Sequence, residues 1–196
     1  MAENVLVSLA TALEAKDEYT RGHSERVSVY AEKLGAAAGL AGQECLDLRR
    51  AGLLHDIGKI GIPGEYLRKP GRLSTEEYEV VKRHTVVGAE ICRPLRTMGP
   101  LLPLIRGHHE RIDGHGYPDG LRGAAVSLSL RCLTIADVYD ALTSQRPYRP
   151  ALPRDSALAI MREEARAGMW DAGVIDLLAA RVPQLTWAGG PRLSHP

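Results

Sequence analysis

Ala51-Gly52-Leu53-Leu54-His55-Asp56-Ile57-Gly58-Lys59 is an apolar helical run that ends in an imidazole, a carboxylate and a glycine. The run begins near Gln43, carries helical spacing to Asp56, and is stopped by Gly58. Both flanks repeat the period. Upstream, Glu3 to Lys16 sets Leu6, Leu9 and Leu13 on one face, and His23 to Ala38 turns Val27, Tyr30, Ala31 and Leu34 inward before Gly39. Downstream, Ser74 and Glu77 form a capping box that opens a helix carrying Tyr78, Val81, His84 and Val87. Pro100 to His109 predicts a further helix, with Pro103 confined to its first turn. Leu128 to Leu142 predicts a long apolar helix with Asp137 inside it, followed by helices over Asp155 to Ala167 and Ala172 to Arg181.

Two stretches interrupt the helices. Gly58 to Gly71 holds four glycines and two prolines, and Asp113 to Gly123 holds Gly114, Gly116, Gly120, Gly123 and Pro118. Each predicts an irregular loop beside a histidine cluster, with backbone shaped around a ligand. There is no internal repeat, no useful strand-like alternation and no dividing linker. The fold class that follows is all-α, a single helical bundle domain with two glycine-rich loops at its site. Residues 1–15 are expected to form a helix packed on or leading into the domain, 16–187 the domain itself, and 188–196 a disordered tail without periodicity.

A chain of 196 residues suits one domain with a substantial core. Its 44% hydrophobic and 25% charged content are ordinary for a soluble protein. A net charge of +1 lacks the basic excess that polymeric nucleic acid requires. Arginines number 20 against 5 lysines, which favours guanidinium forks for any phosphate contact. Cys45, Cys92 and Cys132 form no CxxC pair and no disulfide framework, so they are expected to be buried apolar residues in a reducing cytosol. No apolar run reaches membrane-spanning length, and acids stand where a signal peptide needs a basic flank. A cytoplasmic protein without membrane insertion is the expectation.

The chemistry lies in ionisable residues at apolar positions. His84 sits beside Val81 and Val87, and Asp137 sits inside Leu133-Thr134-Ile135-Ala136-Asp137-Val138. An unpaired carboxylate or imidazole there would be costly. His108 and His109 diverge by about 100° on a regular helix. They reach one ion together only near a helix end, which the Gly114 loop supplies. A His-Asp dipeptide alone fits a hydrogen-bonded core histidine, but metal coordination satisfies all of these groups at once. Five of the seven histidines (His23, His55, His84, His108, His109) join Asp56 and Asp137 in this set. Imidazole with carboxylate suits a borderline divalent transition metal, and the donors exceed the needs of one ion. A paired-metal site with a bridging carboxylate, cleaving a phosphate ester, is the leading reading.

Arg21-Gly22-His23-Ser24, Leu53-Leu54-His55-Asp56-Ile57-Gly58-Lys59-Ile60-Gly61-Ile62-Pro63 and His84-Thr85-Val86-Val87-Gly88 together resemble the HD-GYP domain, a branch of the HD phosphohydrolases. So do His108-His109-Glu110, Asp113-Gly114-His115-Gly116-Tyr117-Pro118-Asp119-Gly120 and Ala136-Asp137-Val138-Tyr139-Asp140. The resemblance runs from about Lys16 to Arg181 in the family's order. It implies a metal-dependent cyclic di-GMP phosphodiesterase giving pGpG and GMP. His23, His55, Asp56 and Asp137 would surround one ion, and His84, His108 and His109 the other, with Asp56 bridging. The cofactors implied are two divalent ions, iron or manganese, with water activated between them attacking phosphorus in line. Lys59 would offset charge on the phosphate and act with Asp56 in catalysis. Asp140, Arg146 and Arg149 would contact the dinucleotide, Tyr117 would stack on a guanine or pack the loop, and Glu110 and Asp113 would orient ligand histidines or the loop.

The family also uses Gly116-Tyr117-Pro118 to bind GGDEF-domain proteins, the implied protein partners; a homodimer is a separate expectation. Tyr19 stands where members with a third metal carry glutamate, which favours two ions here. His115 replaces a small or polar family residue and is expected to face solvent. With no sensor module ahead of the domain, an input signal is expected to come from elsewhere. Two rivals stand beside the enzyme reading. One is an adaptor that binds cyclic di-GMP and GGDEF proteins without turnover; the other is a phosphohydrolase of another nucleotide, such as a hybrid cyclic dinucleotide.

Overall fold

The protein, seen in a computed structural model describing residues 2–14, 22–145 and 150–181, is built of helices, with no strand among those residues. Helix α1 (Ala2–Glu14) leads to α2 (His23–Ala37) and α3 (Gly42–Leu54). A 3-10 turn (Ile57–Gly61), α4 (Gly64–Leu67), α5 (Thr75–Lys82) and α6 (His84–Cys92) follow. A second 3-10 turn (Arg96–Leu101) feeds α7 (Leu102–Gly107). After a long loop and a short 3-10 turn (Gly123–Ala125) come α8 (Leu128–Thr143), α9 (Arg154–Arg166) and α10 (Ala172–Arg181). The expected tail (188–196), Tyr19, Arg146 and Arg149 lie outside the described residues.

Helix α8 is the axis of the bundle and packs against α2, α3, α7, α9 and α10. Its sequence explains this: Leu130, Cys132, Leu133, Ile135, Ala136 and Tyr139 are all buried, so apolar side chains cover most of its circumference. Ser127 caps its start by accepting a hydrogen bond from the Leu130 N–H at 3.2 Å. Helices α2 and α3 meet so closely at Gly52 that a Cβ there would lie 2.5 Å from Ser28 Cα. That contact fixes His23 and His55, on neighbouring helices, over the same end of α8. The three cysteines are free and buried.

Three expectations change. The leucine stripe of α1 is rotated: Ala10 is buried and Leu6 and Val7 pack on the core, while Leu9 is 44% exposed and the side chain of Leu13 lies outside the described set. The helix expected from Ser74 through Val87 breaks at Arg83, where the Arg83 N–H bonds Val80 O, three residues back. The capping box itself is present, with the Glu77 N–H on Ser74 Oγ at 3.2 Å and the Ser74 N–H on Glu77 Oε2 at 2.7 Å. Finally, residues 58–71 are partly helical rather than an irregular loop. Gly58 is there for contact: a Cβ at that position would fall 1.9 Å from His84 O and 2.4 Å from Gly88 N. Its absence lets the 3-10 turn lie directly on α6. No helix among the described residues is long and apolar enough to cross a membrane.

Candidate metal centre

The ends of α2, α3, α6 and α7 and the interior of α8 converge on Asp56. It follows α3 and its two oxygens face opposite ways. Oδ1 lies 3.4 Å from His84 Nε2 and 4.0 Å from His108 Nε2. Oδ2 lies 3.6 Å from His55 Nε2 and 4.0 Å from His23 Nε2. On the Oδ2 side, Asp137 Oδ1 from α8 stands 3.3 Å from His23 Nε2 and 3.9 Å from His55 Nε2. The donor atoms of His23, His55 and Asp137 lie within 4.8 Å of one another, as do those of His84, His108 and His109. All seven residues expected as ligands are therefore brought into two adjoining clusters with one carboxylate between them.

The imidazoles are aimed before anything binds. His55 donates its Nδ1–H to Gly52 O, His84 to Val81 O and His108 to Ile105 O, each at 2.8 Å and each three residues back. Only the Nδ1–H tautomer fits a carbonyl acceptor, so every Nε2 presents a lone pair to the centre. Three consequences test whether a cation fits. The Nε2 atoms of His84 and His108 face each other at 3.2 Å, lone pair against lone pair. His55 Nε2 is buried with no hydrogen-bond partner. His23, which gives its Nδ1–H to Asp140 Oδ2 at 2.8 Å, sets its Nε2 3.3 Å from Asp137 Oδ1, a contact that only a proton or a cation between the two atoms makes favourable. Positive charge at each of these places relieves the conflict, and nitrogen with carboxylate oxygen is the donor set of a divalent transition metal.

The electrostatics agree. Burial works against the ionised form of Asp56, yet Lys59 and the surrounding histidines hold its carboxyl well below the usual range. Asp137 is likewise depressed against burial by His23 and His55. Burial pushes His109 down to about 4 and lowers His84 and His108, which keeps them neutral as ligands must be. For His23 burial is overcome by Asp137 and Asp140, and its pKa is raised to about 10. A position that draws a proton so strongly is one that suits a cation. Lys59 Nζ lies 2.5 Å from Asp56 Oδ2, reaching the centre from the 3-10 turn.

Around the clusters the residues divide differently from expectation. Asp140 was expected on the dinucleotide; it is 1% exposed and stands behind His23, its oxygens also taken by Arg26 Nε at 2.6 Å and Arg26 Nη2 at 3.0 Å. Tyr117 stacks its ring on His109, centroids 4.8 Å apart and planes at 29°, so one face is covered by a ligand candidate. Glu110, 1% exposed, serves the loop: its carboxylate accepts the N–H groups of Asp119, Gly120 and Leu121 at 2.7, 3.1 and 2.9 Å. Asp113 pairs with Arg111 and accepts the His115 N–H at 2.9 Å, while the His115 side chain is exposed. Arg26 is the residue that sequence reasoning passed over. It reads as an ordinary helix-surface arginine, and its partner is far along the chain.

Comparison with known proteins places this geometry. The family described as "HD domain" matches residues 8–174. The chain is 42% identical over 161 residues to 3'3'-cGAMP-specific phosphodiesterase 3 of Vibrio cholerae, covering 82% of this chain and 35% of that protein. It is 41% identical over 184 residues to the cyclic di-GMP phosphodiesterase response regulator RpfG of Xanthomonas campestris, covering 92% of this chain and 48% of that protein. The chain thus spans less than half the length of these relatives. Among solved structures, the HD domain of L. monocytogenes phosphodiesterase PgpH superposes with a TM-score of 0.63 at 17% identity, over 90% of this chain and 98% of that one, a likeness of fold.

Proposed function

Since the chain belongs to the HD domain family, in its HD-GYP branch, we propose that it is a metal-dependent cyclic dinucleotide phosphodiesterase acting on cyclic di-GMP in the cytoplasm. The observation that carries this reading is the Asp56 carboxylate, whose oxygens each face a separate cluster of histidine lone pairs. In it, His23, His55, Asp56 and Asp137 would hold one divalent ion, and His84, His108 and His109, with Asp56 between the two clusters, would hold the other, iron or manganese in each. Ions held there supply the charge that activates water and offsets the phosphoryl oxygens. The chain's own part is to bind and aim. The backbone carbonyls fix the imidazoles, and Lys59 brings an ammonium to the Asp56 side of the centre. Arg146 and Arg149 are proposed to grip phosphate and guanine through guanidinium forks. Tyr117 walls the His109 side, and its loop is proposed as the face for GGDEF-domain partners. The products are pGpG and then GMP.

A second reading, hydrolysis of 3'3'-cGAMP, is favoured by similarity to the Vibrio cholerae enzyme named for that substrate. One experiment separates the possibilities. The chain is purified without oxygen, its metal is measured, and turnover of both dinucleotides is followed by chromatography. Two ions per chain and faster conversion of cyclic di-GMP are expected. Faster conversion of 3'3'-cGAMP would reassign the substrate. A two-ion chain that turns over neither would leave the adaptor reading standing.

A further inference from the structure

His55, His84 and His108 are each aimed by a neutral backbone carbonyl, but His23 is aimed by a carboxylate. That carboxylate, Asp140, is held from the other side by a guanidinium fork. Arg26 Nε donates to Oδ1 at 2.6 Å and Nη2 to Oδ2 at 3.0 Å, and Nη2 also donates to Ser144 Oγ at 3.0 Å. Arg26 lies one turn beyond His23 on α2, and Asp140 one turn beyond Asp137 on α8. The two helices that present the ligand pair, at 3.3 Å, are therefore clasped one turn further on by an ion pair. An imidazole backed by a carboxylate is a stronger donor with a fixed ring plane, and the fork keeps that carboxylate from swinging away. The other cluster hangs from the start of α6 and the end of α7 and has its own supports in Val81 O and Ile105 O.

We infer that Arg26 and Asp140 are a positioning pair for His23, setting the affinity for the ion held by His23, His55 and Asp137 and leaving the ion at His84, His108 and His109 unaffected. This rests on the two-ion reading above. The test uses Arg26→Gln, Arg26→Lys and Asp140→Asn in the full chain, stripped with chelator and titrated with Mn²⁺ by calorimetry, with bound metal per chain measured separately. Arg26→Gln and Asp140→Asn should weaken one of two binding events by about 10- to 100-fold and leave the second unchanged. Arg26→Lys should fall between, since an ammonium restores charge without the fork. Two unaltered events would overturn the inference. So would equal loss of both, which would make the fork a support of the whole bundle. If the wild-type chain binds fewer than two ions, the two-ion reading itself fails. The pair is then judged in the metal-free protein by the proton resonance of His23 Nδ1–H. That signal should be downfield and sharp in the wild type and lost in Arg26→Gln; its persistence would overturn the positioning role.

Discussion

Asp56 serves both clusters because its two oxygens diverge, and no other side chain at the centre does so among the described residues. Replacing it should act on both ions, unlike replacing Arg26. Asp56→Ala is expected to leave less than one ion per chain and no measurable turnover, with the helical circular-dichroism signal retained. Two ions at wild-type affinity in that variant would refute the bridge. The two clusters were legible in the sequence because imidazoles and carboxylates at apolar positions are costly without partners. Asp140 was not legible for the same reason that Asp137 was. Both stand three residues apart in one apolar helix, and sequence alone cannot say which carboxylate enters the centre and which stands behind it. Arg26 escaped altogether, since its partner lies 114 residues away and only the crossing of α2 and α8 unites them.

At the level of elements, the centre depends on one turn lying flat against one helix. Gly58 makes that contact possible, and any Cβ would strike the backbone at His84 and Gly88. Gly58→Ala should force the 3-10 turn away from α6, costing about 1–3 kcal/mol of stability by denaturant melting. It should also displace Lys59 and His84 together, so turnover should fall more steeply than metal content. A variant with unchanged stability would show that the turn can retreat freely. Helix placement was otherwise readable from periodicity, and the capping box at Ser74 from its four-residue pattern. The break at Arg83 was not readable, because the helical spacing of Tyr78, Val81, His84 and Val87 runs through it with no glycine or proline to mark a stop. At the break the His84 Nδ1–H takes Val81 O, a carbonyl of the last turn of α5.

Across the whole molecule, the centre makes opposite demands on protons. His109, lowered by burial from the usual 6.5 to about 4, takes up its proton less readily when folded than when unfolded. Its contribution is present above pH 6.5 and is lost as pH falls from 6.5 through 4. His23, raised from 6.5 to about 10 because Asp137 and Asp140 outweigh burial, contributes stability that is present below pH 6.5 and lost as pH rises through 10. The chelator-treated protein should therefore melt highest near pH 6.5, with a lower melting temperature on both sides. A melting temperature that climbs steadily from pH 6 to pH 9 would contradict this (values bracketing the same two groups). The carbonyls that aim His55, His84 and His108 belong to the last turns of α3, α5 and α7, where helical carbonyls lack partners. These three candidate ligands are thus also the stoppers of three helices. A relative without catalysis would still be under pressure to keep these three histidines, and finding them intact in such a protein would testify to folding before it testified to turnover.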